Sequence, residues 1–191
     1  MKKISLKELG ESIIGVPTES MPVIIAIDGP AGAGKSYFSR KLASVLPDSF
    51  VVPMDDFVSW DSIENGGERA IQQLFVPLKT KGKARYQARD WVNDRFGEGL
   101  CDWKDVPESD YVIAEGVGSA RRAFSPYVDK VIWVDSPEAV CMQRGIERDG
   151  EELEQRWNPF KLMESAFFSE DQTEKRIDVI VDGVNGDIFN V

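Results

Sequence analysis

A three-layer α/β fold with a mostly parallel central sheet is what this sequence predicts, and three observations carry the prediction. Short β-branched runs alternate with stretches of helical periodicity along most of the chain. The runs are continuously apolar rather than alternating, which suits strands buried on both faces of a parallel sheet. One of them, Val23-Ile24-Ile25-Ala26-Ile27-Asp28, leads directly into Gly29-Pro30-Ala31-Gly32-Ala33-Gly34-Lys35-Ser36 and then into a helical stretch from Tyr37. That is a complete G-x-x-x-x-G-K-[ST] phosphate loop in strand-to-helix context.

Taken in order, the elements are read as follows. Ile4, Leu6, Leu9, Ile13 and Ile14 recur near helical spacing, which predicts an amphipathic helix over 3–14 that ends before Pro17 and Pro22. Residues 1–20 are thus that helix and a linker, ahead of a single domain over 21–191. Strands are expected at 23–28, 50–53, 111–114, 130–135 and 177–181, and helices at 35–46, 68–76, 137–148 and 151–168. Residues 77–108 carry Gly82, Gly97, Gly99 and Pro107 amid dense charge and read as insertion rather than sheet. With the residues before it, this gives an acceptor-side insertion over about 57–108 and a lid over about 144–160.

Composition narrows the function classes. The chain has 191 residues, 42% of them hydrophobic, enough for one substantial core. Its 33 acidic and 23 basic residues give a net charge of −10, which argues against general nucleic-acid or anionic-membrane binding. Any anionic ligand must be held by locally placed cations. Cys101 and Cys141 lie far apart in no C-x-x-C spacing, so two buried thiols and a reducing cytoplasm are expected rather than a disulfide framework or a zinc site. There is no histidine, which removes Ser/His/Asp triads, histidine proton shuttles and histidine metal ligands. The apolar runs are too short to span a membrane, and residues 1–9 lack a signal-peptide core.

The phosphate loop sets the chemistry. Its glycines let backbone N–H groups face inward, and the following helix adds the positive end of its dipole, so Gly29, Pro30, Ala31, Gly32, Ala33, Gly34, Lys35, Ser36 and Tyr37 form the expected ATP-phosphate site. Lys35 supplies a cation and Ser36 a hydroxyl for Mg²⁺. A GTPase reading lacks the guanine-reading Asn-Lys-x-Asp, and Asp94-Arg95-Phe96-Gly97 matches D-x-x-G without a preceding apolar strand. The second strand of the domain runs into Asp55 and Asp56, at the end of a parallel strand where α/β folds bind ligands. One of the two can take a proton from an attacking hydroxyl, and the other can cap a turn. Glu115 ends the next strand and would lie across from Ser36 as a second Mg²⁺ ligand, directly or through water. Arg144 and Arg148, four apart, share a helix face and can close over donor phosphates; the competing reading is a solvated face paired with nearby glutamates.

With these residues assembled, the chain resembles the uridine kinase-like P-loop kinases, a group that includes phosphoribulokinase and bacterial pantothenate kinase. The resemblance runs from about Val23 to Gly183. Its carriers are the loop 29–36, Asp55-Asp56-Phe57 in the place of an Asp-x-Phe-Tyr element, Asp61, Pro77-Leu78-Lys79 through Asp90-Trp91, Glu115-Gly116, and Arg144 to Arg148-Asp149. The resemblance implies a P-loop kinase fold, ATP and Mg²⁺ as cofactors, Asp55 as catalytic base and Asp61 in a ribose-binding position. It also implies an acceptor pocket shaped by Asp61, Arg89 and Trp91. The chain departs from the family on that same side: Arg89-Asp90-Trp91 stands where uridine kinases carry Tyr-Asp-Phe, Phe57-Val58 stands for Phe-Tyr, and the arginine-rich lid is short.

The sequence thus leads to a cytoplasmic, ATP- and Mg-dependent kinase that acts on a hydroxyl of a nucleoside-like small molecule. Asp55 and Lys35 are its catalytic residues, and Arg144 and Arg148 join the phosphate loop around ATP. Within the same class, a kinase for a phosphorylated or anionic acceptor such as a pyrimidine monophosphate remains as an alternative; outside it, a catalytically silent ATP-binding regulatory module does.

Overall fold

The computed structural model describes residues 1–16, 22–97 and 99–191. Five parallel strands form its centre: β2 (Val23–Asp28), β3 (Ser49–Pro53), β6 (Tyr111–Glu115), β7 (Lys130–Asp135) and β8 (Val179–Asp182). Two short antiparallel strands, β9 (Ile188–Asn190) and β1 (Lys2–Ile4), complete a seven-stranded sheet in the order β1-β9-β8-β7-β2-β6-β3. Every residue of β2 and β6 is buried, as continuous apolar runs at the middle of a sheet require. Helices cover both faces. On one, α1 (Leu6–Ile14) and α2 (Lys35–Ala43) bury Leu9, Ile13, Phe38 and Leu42 against Ile25, Ile27 and Ile113. On the other, Leu74, Phe75, Leu78 and Phe124 pack against Ile24, Val112 and Ala114. Each fully buried aliphatic or aromatic side chain contributes roughly 1.5–3 kcal/mol.

The N-terminal helix begins later than its apolar spacing suggests. Lys3 and Ile4 belong to β1, in register with Phe189 and Ile188, so residues 2–4 are sheet and the helix expected over 3–14 occupies Leu6–Ile14. The reason is a capping box: the Glu8 N–H donates to Ser5 Oγ at 3.2 Å while the Ser5 N–H donates back to the Glu8 carboxylate at 2.7 Å, which pins the first turn at Ser5. The linker expected around Pro17 falls outside the described residues.

The insertion does contain sheet. Strand β4 (Ala84–Arg89) pairs antiparallel with β5 (Leu100–Val106), with a register shift between Gln87 and Arg89. Ala84, Tyr86 and Ala88 alternate inward with Arg85 and Gln87, a period-two pattern that the charge and glycine content of the region obscured. The helix expected over 68–76 is longer and composite: α3 (Gly67–Ala70), a π-helical turn over Ile71–Phe75, and α4 (Val76–Lys81), closed by Gly82 at φ +70°. Downstream, α5 (Glu138–Asp149) and α6 (Glu154–Asp171) form the helical pair over the sheet's carboxyl edge. Both cysteines are free thiols, Cys141 buried and Cys101 partly so.

Candidate active site

Register places the chemistry. Glu115, the last residue of β6, lies opposite Ile27 on one side and Pro53 on the other. The phosphate loop after β2, Glu115, and the Met54–Phe57 turn after β3 therefore emerge together at the carboxyl edge of three neighbouring strands. They open into a cleft of about 730 Å³ whose walls include Lys35, Ser36, Asp55, Trp60, Trp91, Arg95, Glu115, Arg148 and Trp157.

The loop is built around close backbone approach. A Cβ on Gly32, at φ +83°, would sit 2.2 Å from the Cys141 carbonyl oxygen, so no other residue fits where α5 passes the loop. Lys35 is buried, and its amine donates to the carbonyls of Gly29 and Pro30, each at 2.8 Å. Ser36 in the first turn of α2 donates to Glu115 Oε2 at 3.2 Å. Arg144 turns onto the outside of the loop: its guanidinium donates to the carbonyls of Ala33 at 3.3 Å and Gly183 at 3.1 Å, bracing the loop against the end of β8.

Behind the loop sits Asp28, fully buried. Its carboxylate accepts the N–H groups of Gly29, Gly118 and Ala120, each at 2.8 Å, and so ties the start of the phosphate loop to the turn that follows Glu115. Burial pushes its carboxyl up to about 6, against the pull of those N–H groups and of Lys35.

Asp55 and Asp56 separate sharply. Asp55 opens into the cleft; the protein enclosing it raises its carboxyl above the ordinary range, and Lys35 and Arg148 oppose the rise. Its backbone carbonyl accepts the Trp91 indole N–H at 3.0 Å. Asp56 is buried and accepts the Tyr86 hydroxyl at 2.8 Å and the Lys104 amine at 2.9 Å. Glu115 is likewise raised, first by burial and then by the neighbouring Asp55 charge. Two carboxylates that line one cleft beside a serine hydroxyl are a hard-oxygen donor set suited to a small divalent cation. Among the described residues, no group of three or more acidic, histidine or cysteine side chains could hold a metal alone.

The structure brings Lys35, Ser36, Tyr37, Asp55, Trp91, Glu115, Arg144 and Arg148 of the sequence-derived site to one cleft. Two others lie elsewhere. Asp61 is outside the cleft wall although Ser59 and Trp60 line it; its side chain is exposed and paired with Arg156 at 3.7 Å. Arg89 is buried behind Trp91, its guanidinium 4.6 Å from the ring centroid, and it joins neither Asp90 nor Asp94. Asp90 instead caps Val92 and Asn93, and Asp94 accepts the Gly99 N–H at 2.6 Å. The cation that reaches the cleft from this loop is Arg95.

No family model matches the chain. Over 151 residues it is 28% identical to dephospho-CoA kinase of Porphyromonas gingivalis, a match covering 69% of this chain and 73% of that protein. Among solved structures, a possible uridine kinase from Bacillus stearothermophilus superposes with a TM-score of 0.69 at 22% identity over 93% of this chain and 97% of that one. Phosphoribulokinase from Rhodobacter spheroides gives a TM-score of 0.60 at 15% identity over 88% and 74%. The chain has the P-loop kinase fold. In that fold the mostly parallel sheet carries the phosphate loop at its centre, as the strand order around β2 requires. Among the described residues, no helix is long and apolar enough to cross a membrane.

The P-loop kinase frame also exposes what sequence reasoning missed. Tyr86 and Lys104 face each other across the β4–β5 hairpin and converge on Asp56, a relation invisible without the hairpin register. Asp28 reads in sequence as the last residue of an apolar strand, and only the turn at 116–121 reveals two of its three donors.

Proposed function

We propose that the chain is an ATP- and Mg²⁺-dependent small-molecule kinase that transfers the γ-phosphoryl group to a hydroxyl of a nucleoside-like acceptor. The observation that supports this best is the convergence of Lys35, Ser36, Glu115 and Asp55 on one cleft from three adjacent strand ends. The loop's backbone N–H groups and the start of α2 would receive the donor phosphates. Lys35 can exchange the carbonyls of Gly29 and Pro30 for phosphate oxygens and offset charge on the departing nucleotide. Ser36 and Glu115 would hold Mg²⁺, which when bound would neutralise charge that develops during the transfer.

Asp55 takes the proton of the acceptor hydroxyl as the acceptor oxygen bonds to the γ-phosphorus. The bond from that phosphorus to the β–γ bridging oxygen breaks, and its electron pair leaves with ADP. A carboxyl lifted by enclosure holds that proton better than an ordinary aspartate does. Trp60 and Trp91 line the cleft near Asp55 and offer flat apolar faces to a ring-bearing acceptor. Arg148 and the α5–α6 pair stand where they can shield the transfer from water, while Arg144, which the sequence placed over the donor phosphates, is instead taken up by the carbonyls of Ala33 and Gly183.

The test is ATP consumption with and without a pooled library of hydroxylated acceptors, alongside thermal melting. A ligand that binds only the folded state stabilises it by about 2.7 kcal/mol at a hundredfold excess over Kd. A melting curve unmoved by saturating Mg·ATP would remove the reading, and acceptor-independent binding without turnover would leave a regulatory nucleotide module.

A further inference from the structure

Four cations face the cleft, and three are already engaged. Lys35 lies on the phosphate loop, Arg144 braces that loop from outside, and Arg148 forms a two-point pair with Asp149 at 2.7 and 2.9 Å. The fourth, Arg95, meets no carboxylate among the described residues, although the chain has a net charge of −10. Its guanidinium has one weak partner, the Asp149 carbonyl at 3.5 Å, which leaves most of its five donors open.

The loop that carries Arg95 is firmly built. The Asp90 N–H donates to the Gly99 carbonyl at 2.8 Å, the Asp94 N–H to the Asp90 carbonyl at 3.1 Å, and the Gly99 N–H to the Asp94 carboxylate at 2.6 Å. From behind, buried Arg89 stacks on Trp91 and donates to the Arg95 carbonyl at 3.4 Å. Trp91 in turn hangs from the Asp55 carbonyl, so the arginine's loop is tied to the residue proposed as base. A planar guanidinium held this way, in a cleft that two tryptophans also line and without a carboxylate partner among the described residues, is suited to a bidentate oxyanion on the ligand.

Resting on the kinase reading, we infer that the acceptor carries an anionic oxyacid group, a phosphomonoester or a carboxylate, and that Arg95 is the residue that selects it. A neutral nucleoside would leave this cation facing the cleft unpaired. An acceptor with its anion on Arg95 and its ring against Trp60 and Trp91 would present a hydroxyl toward Asp55.

The experiment measures binding without turnover. Wild type is saturated with Mg²⁺ and a non-hydrolysable ATP analogue, then titrated with matched pairs: uridine and its monophosphate, cytidine and its monophosphate, glycerol and glycerate. In at least one pair the charged member should raise Tm at concentrations where the neutral member does not. Arg95→Ala should weaken that charged member by about tenfold to a hundredfold, as loss of a charge-assisted bond does, while the shift from Mg·ATP persists. Arg95→Lys should rescue a phosphomonoester in part and a carboxylate less, because lysine presents a point charge rather than a fork. Equal or better binding of the neutral members, or charged binding unchanged in Arg95→Ala, would overturn the inference. So would a wild type that binds Mg·ATP yet takes none of the charged compounds. A wild type that fails to bind Mg·ATP overturns the kinase reading beneath it.

Discussion

Asp55 and Asp56 share a peptide bond and serve different surroundings: the first carboxylate opens into the cleft, while the second is buried against the Tyr86 hydroxyl at 2.8 Å and the Lys104 amine at 2.9 Å. The two residues should therefore fail in different ways. Asp55→Asn keeps the shape and removes the proton acceptor, a change worth about a hundredfold to ten-thousandfold in rate with Tm nearly unmoved. Asp56→Ala strands a buried tyrosine hydroxyl and should cost about 1–3 kcal/mol of stability, softened because Lys104 is half exposed and can turn to water. Chemical denaturation and steady-state rates on both variants check the split, and a stability loss in Asp55→Asn equal to that in Asp56→Ala would refute it.

At the phosphate loop, Lys35→Ala should abolish most of the Tm shift produced by Mg·ATP. Ser36→Ala should reduce the shift chiefly by raising the Mg²⁺ concentration needed to reach it, because its hydroxyl and Glu115 form the expected cation site. Melting curves across a Mg²⁺ series at fixed ATP distinguish the two, and identical Mg²⁺ dependence in wild type and Ser36→Ala would count against that site.

Asp28 gives the fold a pH dependence. Burial makes the folded state hold this proton more tightly than the unfolded chain does, with the carboxyl lifted from 3.8 to about 6. The associated stability is complete below the ordinary aspartate range and is lost as pH climbs through about 6, to the extent of about 3 kcal/mol. Asp28→Asn cannot titrate, and its amide turns a donor toward one of the three N–H groups, so it begins less stable. Urea unfolding between pH 4.5 and 7.5 should show the gap between wild type and Asp28→Asn narrowing as pH rises; a constant gap would contradict the assignment.

Gly145 faces Trp157 with no space between them: a Cβ there would lie 2.2 Å from the indole ring. Alanine improves helix propensity by up to about 1 kcal/mol at such a position, but forcing a fully buried tryptophan aside costs about 1–3 kcal/mol, so the steric term prevails. Because Trp157 lines the cleft and meets Trp60 edge-on at 6.2 Å, Gly145→Ala should also raise the acceptor KM more than it lowers kcat. Unchanged stability and KM would refute this.

What could be read in the sequence follows from locality. The phosphate loop, the central strands and the helix pair at the C-terminal side are written in contiguous residues, and their limits in the structure differ from expectation by a residue or two, or by a few at the ends of the helices. The β4–β5 hairpin was legible in principle, since Ala84, Tyr86 and Ala88 alternate, but a short alternation among charges competes poorly with glycine-based loop signals. The Ser5–Glu8 capping box was likewise present and unread. Arg89 and Arg95 could not be told apart at all. Arg89 ends β4 and Arg95 lies in the polar loop six residues on, and only the tertiary stack on Trp91 sends one behind the wall and the other into the cleft.

The π-helical turn at Ile71–Phe75 adjusts phase within the helical run 67–81. Upstream, Arg69 grips the carbonyls of Asp56 and Gln87; downstream, Lys79 grips Asp129 at 2.6 Å and the Pro22 carbonyl at 3.1 Å. A π turn holds one residue more than an α turn, and each helical residue advances about 100° around the axis. The surplus residue is what lets one rod present both grips at once. Deleting a single residue there would turn one end of the run by about 100° relative to the other, so the carbonyl next to the proposed base would lose its anchor though no atom at the reaction centre had changed.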